Sequence, residues 1–545
     1  MTLHATLRAS TAAALIALIA GGAFAQATHP ETGETLAETQ TFTYRILDEF
    51  PSIDPGVAED VSGGEIIRDL FEGLYNQDAD GNLVPGVALS HTVSDDLMTY
   101  TFTLRPEAKW SNGDPVTAND FVYAWRRAAS PELASPYSWF ISLMGLENAD
   151  AVIAGEMPLD ALGVTAVDDH TLEVRIMTPM PYFPQMMTHF TTFPVHQATV
   201  EANPDTWTQP ENIVSNGAYV LTEHIPAERS VRSRNEMYWD NANTYIDTVT
   251  ALVINDENQA LTRWLAGELD RTEVPTGQFP RLQEEYPGEA LSFPLLCSYY
   301  LNVNMTESGN PALQDVRVRE ALSLAINRDI IVENILAAGQ VQAYTLTHWA
   351  TNGFTVPEVA MTGMTQDERN ARAQELMAEA GFGEGATPLT VDILYNTSEA
   401  HQVIMVAIGQ MWKETLGIET TLANQEWQTF LDARGSQNYE LARAGWCGDY
   451  NEASTFLDIM STASGYNDSK YSNPDYDALM AEAKTAADPM PLYTQAEQIL
   501  AQDFPVLPIY HYASVYMLND EIRNWPVSNV QQNWYSKDLW RIAGE

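Results

Sequence analysis

Two cysteines and the aromatic residues around them are the part of this sequence best equipped for chemistry. Cys297 is followed by Tyr299 and Tyr300, and Cys447 lies between Trp446 and Tyr450. Asp449 stands two residues beyond Cys447, and Trp427 follows Gln425 and Glu426 upstream. A disulfide would bring both aromatic clusters together, whereas two unrelated thiols would leave them apart. If the bond forms, Asp449 sits in aromatic, partly dry surroundings. A carboxylate held there is costly unless it meets a cation, so Asp449 is a candidate for gripping an ammonium group. The alternative is an exposed loop residue that caps a helix near Glu452. The aromatics likewise admit a plainer role as core packing.

Motifs for covalent or metal chemistry are absent. There is no G-x-S-x-G elbow, no H-E-x-x-H helix and no C-x-x-C, so no catalytic residue and no metal site is assigned. The 10 histidines are scattered without ligand spacing, and no cofactor is expected. Asn76 to Gly81 begins like a calcium loop, but its twelfth position is Val87 rather than Glu, which leaves a polar hairpin turn. Gly381 to Gly385 has the wrong spacing for a phosphate-binding turn.

The elements that must position the candidates read as α/β. Thr41–Ile46, Tyr100–Leu104, Leu172–Ile176, Ala218–Leu221 and Val249–Ile254 alternate or run as strands. Thr117 with Asp120 opens one helix, and Asp315 opens another with Val318, Ala321, Leu322 and Ala325 on one face. Further helices are expected at 366–380, 403–416, 474–486 and 493–502, with Gly381 and Gly417 ending two of them. After Cys297 helices alternate with strand-like runs at 389–394, 418–422 and 441–444, the texture of a second α/β lobe. Two lobes imply a cleft, where small ligands usually bind.

Length and charge narrow the function. The 545 residues exceed one ordinary core and suggest two to four domains. A net charge of −47 argues against nucleic acid and against anionic membrane surfaces. Residues 1–25 carry a weakly basic start, the apolar run Thr11–Ala20 and Ala23-Phe24-Ala25, the three-part pattern of a cleaved secretory signal. No cysteine stands at the cleavage point and no later run is long enough to span a bilayer, so no membrane anchor is expected.

Several stretches carry a family resemblance. Lys109 to Tyr123 (KWSNGDPVTANDFVY) resembles the signature of the family 5 extracellular solute-binding proteins. Arg68–Leu74, Asp168–Val174, Asn216–Tyr219, Tyr238-Trp239, Asp315–Arg319 and Asn424–Leu431 are similar to that family in the same order. Ala442 to Glu452 (ARAGWCGDYNE) is most similar to its oligopeptide-binding members. The resemblance implies a two-lobed periplasmic-binding-protein fold of three domains: a discontinuous domain I (26–71, 197–296 and 516–545), an inserted domain II (72–196) and a domain III (297–515). It implies a monomeric periplasmic receptor that delivers oligopeptides to the membrane permease of an ABC importer, closing its lobes by hinge motion. Peptides of varied sequence share a main chain and charged termini, so recognition would use strand addition and terminal charges.

By the same resemblance Asp449 takes the peptide amino terminus, and Arg443, Gly445 and Cys447 pair with its backbone, faced by Glu59 and Val61. Tyr137, Trp427 and Trp446 would line side-chain pockets. Arg434 and His401 match positions that meet the carboxyl end of longer peptides, and Cys297 pairs with Cys447. Two positions depart from the pattern. Leu336 stands near where a lysine at the end of the Asp315 helix would meet short peptides, and Asn302 replaces an acidic residue. These departures leave murein tripeptide or another small ligand as an alternative; an exported peptidase is the remote one.

Overall fold

The alternating runs pair as expected, and what they build is one long sheet. A computed structural model describes residues 27–383 and 385–544; the signal at 1–25 lies outside them. The sheet has 11 strands. From one edge the order is Glu419–Gln425, Thr390–Asn396, Leu441–Cys447, Ala290–Val303, Val506–Leu518, Arg271–Glu273, Thr41–Ile46, Thr248–Val253, Arg229–Arg234 and Tyr219–Ile225, with Val341–Gln342 added beside Val506–Leu518. Parallel and antiparallel pairs mix, as in an α/β fold.

Two long strands, Ala290–Val303 and Val506–Leu518, cross the middle and join the halves of this sheet. Their register changes on the way. Pro294 pairs with Ala513, but Ser298 pairs with His511, so Leu295, Leu296 and Cys297 face only Tyr512. Extra residues on one strand bend it and increase its twist. Arg271–Glu273 joins below this bend and Leu441–Cys447 joins above it. The bend thus divides the long sheet into two halves.

A separate four-stranded antiparallel sheet, in the order Ala88–Val93, Thr99–Leu104, Thr171–Arg175, Val164–Asp168, lies within 72–196. Its neighbouring helix Ala118–Ala128 starts with the expected box of Thr117 and Asp120. The Asn76–Gly81 stretch forms a hairpin turn in which Asp78 accepts from the backbone N–H groups of Asp80 and Asn82.

Helix boundaries moved where capping outweighed hydrophobic pattern. The helix expected from Val403 begins at Glu399, because Ser398 accepts from the His401 N–H. Val403 and Val406 point outward, so the apolar run that suggested the start is not the buried face. The helices expected at 474–486 and 493–502 run over Pro474–Ala483 and Met490–Asp503. The Asp315-capped helix ends at Leu324, so Val332–Ala338 is not part of it. Leu336 instead closes a separate π-helical segment, Ile330–Leu336, and is buried in an apolar core.

Cys297 and Cys447 are bonded across adjacent strands, 150 residues apart in sequence. Closing a loop of that length restricts the unfolded chain, which the chain-entropy model values at about 4–5 kcal/mol. Replacing both cysteines with serine is expected to lower the urea midpoint of unfolding accordingly. An unchanged midpoint would show that the crosslink does not stabilise the fold.

Candidate functional site

The free edge of one strand sets the geometry of the site. Leu441–Cys447 pairs with Ala290–Val303 along its whole length, but on its other side only Leu441 and Ala442 have partners. Which backbone groups face that open edge follows from the disulfide pair. The Cα atoms of Cys297 and Cys447 are 4.0 Å apart, the close spacing of a non-hydrogen-bonded antiparallel pair. The N–H and C=O of Cys447 therefore point away from Ala290–Val303, as do those of Gly445 and Arg443 at the strand's two-residue period. Gly448 confirms the phase, since its N–H turns inward to the Leu296 carbonyl at 2.8 Å. An extended chain laid along this edge would meet three residues' worth of unpaired backbone groups.

Beside the edge is a partly open cavity of about 210 Å³. Of the residues singled out in the sequence, Asp449, Gly445, Trp446, Cys447, Trp427, Arg434, Glu59, Val61 and Tyr137 line it. They come from distant parts of the chain. Glu59 and Val61 stand at the start of the helix Val61–Leu70, which Asp60 caps by accepting from Gly63 N–H. Tyr137 precedes the short helix Ser138–Leu143 in the inserted segment. Two candidates stand apart from the cavity wall. The Arg443 side chain donates to Tyr512 Oη at 2.6 Å and covers the Tyr299 ring, so only its backbone faces the edge. His401 packs on Tyr299, behind Arg443, and burial together with the Arg443 charge lowers its pKa well below the ordinary value.

Asp449 is buried, and it is not the helix cap that the sequence left open. The short helix Ser454–Leu457 starts after Ala453, and it is Glu452 that accepts its first N–H, that of Ser454, at 2.7 Å. The Asp449 carboxylate instead accepts the Tyr137 hydroxyl at 3.2 and 3.3 Å and lies 3.4 Å from His189 Nε2. His189 brings no charge, because burial and then the positive Arg68 hold its pKa well below the ordinary value. Its Nδ1 accepts from Thr191 N–H, which leaves the ring proton on Nε2, facing Asp449. Burial raises the Asp449 pKa to about 8, and the Tyr137 hydroxyl and the Arg68 charge only partly oppose it. Among the described residues no lysine or arginine makes an ion pair with Asp449. A carboxyl so placed discriminates strongly in favour of a ligand that brings its own positive charge.

The rest of the wall is aromatic and charged. Trp446 lies 4.9 Å from Tyr466 and 5.8 Å from Trp139, ring centre to ring centre, while Tyr137 stacks on His189. Arg434 is bound to Asp468 at 2.6 Å and to Tyr466 Oη at 2.9 Å. Burial raises the Glu59 pKa, with Arg434 opposing it.

Sequence reading missed Arg68, Glu65, His189, Tyr466 and the Gln531–Asn533 segment, all of which line the cavity. A signal existed for two of them. Val61, Glu65 and Arg68 recur at i, i+4 and i+7, so a helix that presents Val61 presents the other two as well. His189 and Tyr466 have no such local signal.

Comparison with known proteins agrees with this geometry. Residues 82–468 match the family model described as bacterial extracellular solute-binding proteins, family 5 middle. The chain belongs to the family 5 solute-binding proteins. It is 42% identical over 533 residues to the periplasmic murein peptide-binding protein MppA of Escherichia coli K12, covering 96% of this chain and 97% of that one. The solved structure of the E. coli protein matches with a TM-score of 0.91 over 93% of this chain and all of its own. The periplasmic oligopeptide-binding protein OppA of E. coli K12 is 41% identical over 542 residues, covering 98% and 99% of the two chains. Haemophilus influenzae OppA, solved in complex with the peptide RPPGFSPFR, is 37% identical with a TM-score of 0.89, covering 93% and 100%. The chain thus has the two-lobed fold and is a binding protein rather than an enzyme.

The Asp449 environment has a pH signature. A carboxyl whose folded pKa lies above its ordinary value of 3.8 contributes stability at low pH and loses it as pH rises through about 8. His189, held neutral, acts in the opposite direction in acid. The difference between wild type and Asp449→Asn isolates the carboxyl. Thermal melts of the ligand-free protein are expected to show the wild type losing stability relative to Asp449→Asn between about pH 4 and pH 8. Parallel curves would contradict the assignment.

Proposed function

We propose that this protein captures oligopeptides in the interlobe cleft and delivers them to the permease of an ABC importer. It acts in the periplasm. The observation that carries the reading is a buried carboxylate, Asp449, without an ion-paired cation, next to the open edge of Arg443–Cys447. The carboxylate suits the amino terminus, and the edge suits the main chain that all peptides share. Glu59 and Val61 would face the peptide from the other lobe. Tyr137, Trp427 and Trp446 would bound its side chains, and Arg434 and His401 would lie toward the carboxyl end of longer peptides.

The domain division 26–71 with 197–296 and 516–545, 72–196, and 297–515 belongs to this proposal. It is supported by the bend at Pro294–Ser298 and by the separate sheet within 72–196. Tyr137 and His189 of the inserted domain contact Asp449 of the second lobe, so closing the lobes would complete the carboxylate's surroundings. The receptor is taken to act as a monomer.

A second reading keeps the site and changes the ligand to murein tripeptide. Leu336 and Asn302 favour it. Both are buried and neither carries a charge, so neither supplies a cation for a terminal carboxylate or an anion to balance one. Short peptides would then lack the cationic contact that the family resemblance implies. Native mass spectrometry of the purified protein separates the two readings: a series of peptide masses supports the first, and one muropeptide mass supports the second.

The Asp449 assignment makes a direct claim on affinity. Asp449→Asn is expected to weaken binding of unmodified peptides by roughly 100-fold or more, the cost of a charge-assisted contact in a buried site. Calorimetry that gave equal affinities for the two proteins would remove Asp449 from the binding role.

A further inference from the structure

The helix Val61–Leu70 turns a second charged group toward the cavity. Of its three lining residues Val61, Glu65 and Arg68, Glu65 is committed: it accepts from Arg271 at 3.3 Å and from the Trp534 indole at 3.1 Å. Arg68 is not committed. No hydrogen bond to its guanidinium occurs among the described residues, and its Nε is buried without an acceptor. Its ionisable neighbours are otherwise engaged. Tyr535 Oη accepts from Gln77 N–H, Asp69 binds Ser536 and pairs with Arg232, and Asp449 accepts Tyr137. The other arginine of the wall, Arg434, is held by Asp468. Arg68 lies within electrostatic range of Asp449 without forming an ion pair with it.

The cavity therefore presents a guanidinium without an acceptor and, close by, a carboxyl that has neutral partners but no ion pair with a lysine or arginine among the described residues. We propose that Arg68 and Asp449 form a two-point anchor that selects peptides with a carboxylate near the amino terminus. The ammonium would sit on Asp449, and a side-chain carboxylate of the first or second residue would take the guanidinium fork. This rests on the reading that Asp449 binds the ammonium. A half-buried guanidinium without acceptors has lost hydration that only a strong acceptor restores, and a carboxylate offers two parallel bonds where an amide or carbonyl offers one neutral oxygen. The long-range field opposes this preference, because a chain of net charge −47 repels anionic ligands. Any observed preference for acid would thus arise locally.

Calorimetry with the full protein and two matched peptide pairs, Ala-Glu-Ala against Ala-Gln-Ala and Glu-Ala-Ala against Gln-Ala-Ala, tests the anchor. In at least one pair the acidic member is expected to bind about tenfold tighter or more, the range of a hydrogen-bonded charge contact. Arg68→Gln is expected to bring that pair within about twofold, and Arg68→Lys, which keeps the charge but not the fork, to fall between. The proposal is overturned if neither pair discriminates in the wild type, or if discrimination survives in Arg68→Gln. Should that variant not fold, undiminished discrimination in Arg68→Lys overturns the fork. N-acetylated Ala-Gln-Ala tests Asp449 separately: if acetylation leaves affinity unchanged, the ammonium reading fails, whatever the acidic pairs show.

Discussion

The arrangement depends on one electrostatic constraint, the Asp449 carboxyl buried among aromatic rings with no ion-paired lysine or arginine among the described residues. Placing Asp449 there costs desolvation energy that Tyr137 and neutral His189 return only in part. On the proposed reading, a ligand's ammonium would relieve that cost. The same logic holds in weaker form for Arg68, whose guanidinium lines the cavity without a hydrogen-bond partner among the described residues. Arg434 and Glu65 show the contrast: each lines the cavity, and each is already satisfied by another part of the chain.

The fold brings this carboxylate to an open strand edge by way of the long central strands. Because Leu295–Cys297 bulge between two registers, one half-sheet turns relative to the other at the level of the disulfide. The disulfide ties the bend to the strand that carries Gly445 and Cys447 and fixes which backbone groups face outward. The crosslink thus joins the bend of one strand to the open edge of its neighbour. Contacts from residues 72–196, Tyr137 to Asp449 and Tyr182 stacked on Tyr450, reach the segment that follows Cys447.

Much of this was legible in the sequence, but unevenly. Local signals fixed elements well: the Thr41–Ile46 alternation, the Thr117–Asp120 box and the αL glycine at Gly417 each reappear. They failed where pattern and capping disagreed, as at Glu399, where Ser398 decided the start and the apolar Val403 proved exposed. The cysteine pair and its aromatic neighbours pointed to Asp449 because they are adjacent in sequence, although the choice between ligand and helix cap needed Glu452 to be seen in place. His189 could not be read at all. Its role comes from a ring orientation set by Thr191 and from a partner 260 positions away in the chain. Arg68 was visible only as a member of a motif, since its significance lies in bonds that it does not make.

The central claim is that a buried, largely protonated carboxyl becomes charged when a peptide ammonium arrives. Its most direct measurement is the number of protons released on binding, obtained by calorimetry of a simple peptide at about pH 6.5 in buffers of different ionisation enthalpy. With the Asp449 pKa at about 8 and a peptide amine that is charged at that pH, release of about one proton per peptide is expected, and none in Asp449→Asn. A binding enthalpy independent of the buffer would contradict the account.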